Sequence, residues 1–437
     1  MFSNYLKIAY RNLRNNKLYS SINILGLAIG LSISMLILLF VVHELSFDRF
    51  HANNDRIHKM KLKAFFGEQE INTTVLSAGF APIVSERLPE VEDAVRVCAQ
   101  KQIIFKSDDE HIFSEKNLLL ADPNILEVFS FKLLEGNAAT ALSEPQTLVL
   151  TRPIAEKYFG TQNPIGRTLI YEDELPFKVT GIIEEPPSNS TIKFDFIASL
   201  NSLNAIQRLE AENPEKVSLS LDYQKMGLGQ FETYLLLSPQ ANISEVIDKV
   251  TALQAEDESF TMNVKYFTDA LPDLHLGKQA AKRIYLFLGI ALLILGLALI
   301  NYISLSTARA VQRSKEVAIR KVIGATRRKL IVQFYTDSIL LIALSFLIGF
   351  GLIWFFQPFF YNLLDLKIDR QFIYHPLILL LYGGLLLVAI LFSGSLPAFL
   401  MSAYRPVNVL KGKIKSGKSG NRLRQGFTVF SLQRLPH

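Results

Sequence analysis

Four uncharged apolar runs limit what this chain can fold into: residues 22–42, 284–304, 339–356 and 377–396. About 20 apolar residues in helical conformation cross a hydrocarbon core ~30 Å thick. The third run is read as starting earlier, near Ile331. Each run has basic residues beside it, gathered in three short blocks, which core helices of a water-soluble protein do not explain. The first run is longer than the ~7–15 apolar residues of a secretory signal. No small-x-small cleavage site follows in Val42-His43-Glu44-Leu45, so the run is read as an uncleaved anchor.

Charge orients the runs. The net charge of +6 hides a strong asymmetry. Residues 1–21 carry Lys7, Arg11, Arg14 and Lys17 and no acid; 307–330 carry many basic residues and only Glu316; 401–437 carry basic residues alone. Residues 43–283 are net acidic. Nucleic-acid binding explains short basic blocks beside apolar runs poorly, whereas retention of Lys and Arg on the cytoplasmic side explains them well. The expected fold class is an α-helical membrane protein with four transmembrane helices and an α+β extracytoplasmic domain inserted between helices 1 and 2. The expected order is a cytoplasmic amphipathic leading helix (1–21), helix 1 (22–42), the inserted domain (43–283) and helix 2 (284–306). A cytoplasmic loop (307–330), helix 3 (331–356), a short outer loop (357–376), helix 4 (377–400) and a basic cytoplasmic tail (401–437) follow. The expected location is an inner membrane.

Within the inserted domain, strand-like runs fall at 102–105, 147–150, 168–171, 177–183 and 232–237, and helix-like runs near 81–88, 153–159 and 244–254. Mixed runs of this kind indicate α+β. Turn signals are dense, at Asp122-Pro123, Glu144-Pro145, Asn163-Pro164 and Pro186-Pro187.

Residues that imitate catalytic or metal chemistry lack the required context. Gly412-Lys413-Ile414-Lys415-Ser416-Gly417-Lys418-Ser419 fits the phosphate-loop spacing, but a basic stretch precedes it instead of a hydrophobic strand. It is read as part of a basic membrane-proximal tail. His51 and His58 are seven apart, as are Asp48 and Asp55, which on a helix would share one face. A metal needs three or four converging ligands, so a solvated stem is the preferred reading. Cys98 is the sole cysteine, which excludes an internal disulfide and paired-cysteine metal or redox motifs. Asn301 and Asp337 are the notable polar groups in or near the apolar runs. The sequence argues against an enzyme: no catalytic residue, cofactor site or metal site is assigned.

The stretch Asn301–Ser338 is the most informative. Ala318, Ile319, Val322 and Ile323 form an apolar stripe, with Lys315, Arg320 and Lys321 mainly off it and Gly324 placed to cap the helix. Such a helix can rest on anionic lipid or dock on a cytoplasmic protein; periodicity leaves both open.

SKEVAIRKVIGATRRKLIVQF (314–334) resembles the signature loop of the FtsX-like permeases, the ABC family of macrolide exporters and lipoprotein-release systems. NYISLSTARA resembles the end of that family's second span, and YRNLRNNKLYSSINILGLAIGLS its leading helix and first span. ELSFDRFHANNDRIHKM, DPNILEVFSFKLLEGN, LVLT, KYFG, NPIGRTL and VTGIIEEPPSNSTIKFDF are similar to its MacB-like periplasmic core domain. The resemblance runs from residue 1 to about 425.

It implies a permease that transmits the motion of a cytoplasmic ABC ATPase to a periplasmic domain, for export or extraction of a substrate. Glu316, Arg320, Lys321, Gly324 and Ala325 would contact the ATPase, and ATP would be bound by that separate subunit. The first span, with Arg11, Arg14 and Lys17, would line a dimer or the membrane surface. Implied partners are the ATPase, a second permease copy (homodimer or heterodimer), lipid and a periplasmic adaptor or outer-membrane protein, without nucleic acid. The alternative is a signalling or scaffold protein that regulates an envelope hydrolase or sensor. LRQGF (423–427) looks like the approach to a fifth span, as in two-unit relatives; a truncated two-unit permease and a half-size subunit are both compatible with it.

Overall fold

The computed structural model describes residues 13–66, 69–100, 103–107, 112–211, 225–256, 263–312 and 326–403, with isolated positions 7, 11, 223, 319, 322 and 323. The chain divides into two compact units, one of residues 1–42 and 285–437 and one of residues 43–284.

Elements follow in chain order. Helix α1 (Lys17–Leu45) precedes strands β1 (Ile57–Phe66) and β2 (Gln69–Thr73), helix α2 (Phe80–Arg87), β3 (Val91–Gln100), β4 (Ile103–Ser107), β5 (Ile112–Glu115) and β6 (Leu118–Ala121). Next come the single turn α3 (Ile125–Val128), β7 (Leu133–Gly136), β8 (Thr147–Thr151), α4 (Arg152–Phe159), β9 (Thr168–Tyr171), β10 (Leu175–Ile183) and β11 (Phe196–Ser199). Then follow α5 (Leu203–Ala211), β12 (Glu232–Leu237), α6 (Ile243–Ala255), β13 (Asn263–Ala270), α7 (Lys278–Gln312), α8 (Arg327–Leu364) and α9 (Pro376–Ala403).

The 43–284 unit is built on one mixed sheet of 13 strands among the described residues, in the order β13-β1-β12-β3-β6-β11-β8-β10-β9-β4-β5. β2 adds to β1 and β7 to β10. Only β10/β8 and β11/β6 pair in parallel; the remaining ladders are antiparallel. Both faces of the central strands are covered. Leu118, Leu120, Leu148, Leu150, Phe196 and Ala198 enter one core, while Leu119, Ala121, Val149 and Ile197 enter another on the opposite face. A third core, under α2 and α6, takes Met60, Leu62, Ala64, Val84, Val246 and Val250. A strand buried on both faces gains nothing from polar alternation, which is why LLLA and FIAS read as unbroken apolar runs.

β1 does the opposite. Its apolar residues Met60, Leu62 and Ala64 alternate with Lys59, Lys61 and Lys63. Each lysine pairs with a carboxylate on a different neighbouring strand: Glu232 of β12 at 2.6 Å, Asp269 of β13, and Glu70 of β2 at 2.7 Å. Such partly exposed pairs contribute ~0–1 kcal/mol each. Lys63→Ala is therefore expected to lower the stability of the domain by less than ~1 kcal/mol. Pulse proteolysis of the full chain in detergent, with and without 0.5 M salt, is the measurement.

In the other unit, three helical segments are long and apolar enough to cross a membrane: Lys17–Leu45, Ala280–Ala308 and Arg328–Leu364. A shorter apolar stretch, Pro376–Phe392, lies in α9. Helices α7 and α8 extend beyond their uncharged runs, to Gln312 and Leu364. α8 ends where Asp365 takes the left-handed conformation, with φ of 50°.

α1 is the inner helix of this unit. Leu27, Leu31, Met35, Leu36 and Leu39 are buried with Leu295, Leu299 and Tyr302 of α7, Leu341 and Ile342 of α8, and Ile378 and Tyr382 of α9. By contrast, Leu292, Leu293 and Leu297 of α7, Leu347 and Phe355 of α8, and Leu380 and Leu387 of α9 are exposed, as lipid-facing residues are. Helix α1 is thus largely enclosed by its own chain. Leu18, Ile22, Leu25 and Ile29 form its exposed stripe.

Close approach is made by small residues spaced by four: Gly26, Gly30 and Ser34. A Cβ on Gly30 would lie 2.6 Å from the Cβ of Ala298, and one on Gly26 would lie 3.6 Å from the Asn301 amide nitrogen. The Ser34 hydroxyl donates to the Ala291 carbonyl at 3.4 Å, and the Tyr382 hydroxyl to the Met35 carbonyl at 3.0 Å. On the far side, a Cβ on Gly349 of α8 would come within 2.9 Å of the Ala28 carbonyl.

Candidate functional site at the Asp48 clasp

The residue pattern ELSFDRFHANNDRIHKM spans the last turn of α1, an irregular turn and the start of β1. It does not form one continuous helix. The chain bends after Leu45, Asp48 has φ of 56°, and His58 lies on β1. The seven-residue spacing of His51 and His58 therefore does not bring them to one helical face, which corrects that part of the sequence reading.

The bend is fastened to the loop 186–193 by consecutive polar contacts. The Asp48 amide donates to the Asn189 carbonyl at 2.9 Å. The Asn189 side-chain amide donates to the Ser46 carbonyl and hydroxyl, both at 3.0 Å. The Thr191 amide donates to Asp48 Oδ1 at 2.8 Å, and the Thr191 hydroxyl donates to Asp48 Oδ2. His43 Nε2 lies 3.0 Å from the Ser188 hydroxyl. Asp48 is fully buried. Burial pushes its carboxyl above the usual carboxylate range, against the opposing pull of its bonds to Thr191 and Ser190. Asp tolerates the left-handed conformation better than most residues, because its short side chain bonds locally.

Two further contacts complete the junction. Glu44, buried in the last turn of α1, pairs with His275 at 3.1 Å, and the Phe47 ring stacks on His275 with centroids 3.4 Å apart. The segments that enter and leave the domain are thereby tied together. Beyond the bend, His51 sits in a cage of Phe50, Phe129 and Phe131. His51 Nδ1 accepts from the Ser130 amide at 3.0 Å, and the Ser130 hydroxyl accepts from the Ala52 amide at 2.8 Å. Burial lowers the His51 pKa to about 4.

These neighbours turn the candidate ligands of a metal site toward different partners: Asp48 to Thr191, His51 to Ser130, and His58 into the β1 ladder with β12 and β13. Among the described residues no group of three potential ligands converges. Asp48 and His51 were visible in the sequence through their seven-residue spacings to Asp55 and His58; Ser130, Asn189 and Thr191 lie in stretches quoted for the family resemblance, but nothing there paired them with Asp48 or His51. The site residues assigned to ATPase contact, Glu316, Arg320, Lys321, Gly324 and Ala325, lie outside the described residues, as does the phosphate-loop-like run 412–419. Arg11, Arg14 and Lys17 are helical and exposed. Asn301 is exposed and Asp337 is half-buried.

Residues 20–253 match the MacB-like periplasmic core domain, and residues 288–407 match the FtsX-like permease C-terminal region. Among curated relatives, the pyoverdine export ATP-binding/permease protein PvdT of Pseudomonas aeruginosa is 26% identical over 371 residues, 79% of this chain and 50% of that protein. The ABC transporter permease YvrN of Bacillus subtilis is 22% identical over 434 residues, 93% of this chain and 99% of that protein. The macrolide export protein MacB of Bdellovibrio bacteriovorus is 24% identical over 60% of this chain and 38% of that protein. The chain thus spans half or less of these two exporters and nearly all of YvrN. Among solved structures, a domain of a permease from Porphyromonas gingivalis aligns over 50% of this chain and 91% of that one, with 22% identity and a TM-score of 0.42. The periplasmic region of MacB from Actinobacillus actinomycetemcomitans covers 51% of this chain and 92% of that one, with 16% identity and a TM-score of 0.34. With both regions matched in order, and the first alone covering more than half of its length, the chain belongs to the ABC transporter permease family built from a MacB-like periplasmic core domain and an FtsX-like permease C-terminal region.

Proposed function

We propose that this permease is a mechanical relay: a separate cytoplasmic ABC ATPase moves the loop 307–330, and the membrane helices carry that motion to the 43–284 domain. The supporting observation is the clasp at Asp48. It fastens Ser46 and Asp48, just beyond α1, to loop 186–193 of the 43–284 unit, so that a pull on this stretch of chain is passed to that loop. A tethered receptor would need only a flexible linker there. In this reading four helices span an inner membrane, residues 43–284 are periplasmic, and both terminal segments and the loop 307–330 are cytoplasmic. The chain hydrolyses nothing itself, and ATP binds the partner. The machine is a pair of permeases on a pair of ATPases, and what it moves is exported or extracted across the envelope, with an adaptor as a further partner. PvdT and MacB, each named as an ATP-binding/permease exporter, support that direction.

The test is co-purification in mild detergent. An ABC ATPase should accompany the chain, and its hydrolysis should rise on reconstitution with it. Glu316→Lys, which reverses the one acidic group in a basic loop, is expected to weaken the complex about tenfold and leave membrane insertion intact. An unchanged complex and unchanged stimulated turnover would move the loop from protein docking to the lipid surface.

A further inference from the structure

We propose that the His51–Ser130 contact is an acid-released latch: below about pH 5 the segment 50–54 of the 43–284 unit lets go of the 129–131 segment. The inference depends on the relay reading only for its consequence, the loss of coupling; the latch itself needs no ATPase.

The geometry defines the protonation state. His51 Nδ1 accepts a hydrogen bond from the Ser130 amide, so the proton of the neutral ring resides on Nε2. Nε2 is buried and has no hydrogen-bond partner among the described residues. The ring is 1% exposed. A second proton would have to go on Nδ1, where it would face the Ser130 N–H, donor against donor. It would also place a cation in an apolar cage with nothing to receive its two N–H groups. Protonation and the latch therefore exclude one another.

No charged neighbour rescues the cation. The rings packed on His51 are Phe50, Phe129 and Phe131. Tyr234 lies behind Phe129 and is covered by Lys59, which is itself paired with Glu232. Asp48, on the same turn, directs its carboxylate to Thr191, and Lys132, beyond Phe131, faces Glu184 at 3.4 Å. Arg56, on the approach to β1, bonds Glu92.

The signs of the two buried groups differ. His51 has a depressed pKa when latched, so its contribution is complete above pH ~6.5 and is lost as pH falls toward 4. Asp48 has a raised pKa, so acid does not weaken its hold through this linkage. Acid loosening thus begins on the His51 side. With a ring that titrates near 6.5 when released and about 4 when latched, the opening equilibrium rises about 25-fold from pH 7.5 to pH 5.

Hydrogen exchange of the full chain in nanodiscs tests this. After correction for the intrinsic pH dependence of exchange, the amides of residues 129–132 and 50–54 should lose protection about 25-fold between pH 7.5 and pH 5, while β8 and β11 stay protected. In His51→Gln, whose carbonyl can accept from Ser130 without titrating, the change should fall below threefold. If wild-type protection at 129–132 is flat over this range, or if His51→Gln loosens as much as wild type, the latch is wrong. Loss of ATPase stimulation without this exchange response would count against the latch and leave the relay standing.

Discussion

Asp48→Ala is expected to destabilise the inserted domain by about 2–3 kcal/mol and, under the relay proposed above, to uncouple ATPase stimulation from transport. The substitution removes both acceptors used by Thr191, and hydrogen bonds to a charged group are worth ~1.5–3 kcal/mol. Part of this is offset because a buried carboxylate costs free energy to hold, as its raised pKa records. Alanine also strains the left-handed backbone at φ 56°, a cost of ~1 kcal/mol or more. Asp48→Asn keeps an acceptor for the Thr191 amide and tolerates that backbone, so it should cost under ~1 kcal/mol. Asp48→Gly separates the two contributions: it restores the backbone freedom and leaves the bonds broken. Pulse proteolysis of the detergent-solubilised chain gives the stabilities, and reconstituted proteoliposomes with the ATPase give the coupling. Equal behaviour of the alanine and asparagine variants would show that the clasp is not held by its carboxylate.

Gly30→Ala should destabilise the helix bundle by about 2 kcal/mol, the range for forcing volume into a packed contact. The new methyl carbon would sit 2.6 Å from the Ala298 Cβ, well inside contact distance, so α1 and α7 must separate. Without a hydrophobic driving force between helices in lipid, that separation gives up the packing that holds them. Ala298→Gly in the same chain should restore at least half of the loss, a coupling that a double-mutant cycle measures. Gly289, Gly296 and Gly351 have open space where a Cβ would stand, and alanine at any of them should be neutral or slightly stabilising. Thermal unfolding followed by size-exclusion chromatography in detergent distinguishes these outcomes.

Much of the architecture was legible because it depends on local pattern. Uncharged length announced the apolar helices, and flanking charge suggested their direction. Among the strands, β4, β8, β9, β10 and β12 stood out as short runs rich in β-branched and aromatic residues. β6 and β11 did not, since burial on both faces removes the alternation that marks a strand. β1 carries a clean alternation of lysine and apolar residues, but the spaced histidines beside it drew the reading toward a stem. The clasp itself was illegible: Asp48 and Thr191 are 143 residues apart, and neither type is unusual where it stands. The spacing Gly26-Gly30-Ser34 was present in the sequence, but its partner on α7 is defined only by three-dimensional packing.

The inner position of α1 has a consequence for biosynthesis. This helix is made before the surface it packs against, which begins with α7 at Lys278. At ~5–20 residues per second, the intervening domain takes roughly 10–50 s to synthesise. Throughout that interval the glycine face of α1, with the buried amide of Asn23 beside it, has only lipid or the insertion machinery for company. The nascent chain must hold its central helix in a provisional environment until its neighbours arrive and enclose it.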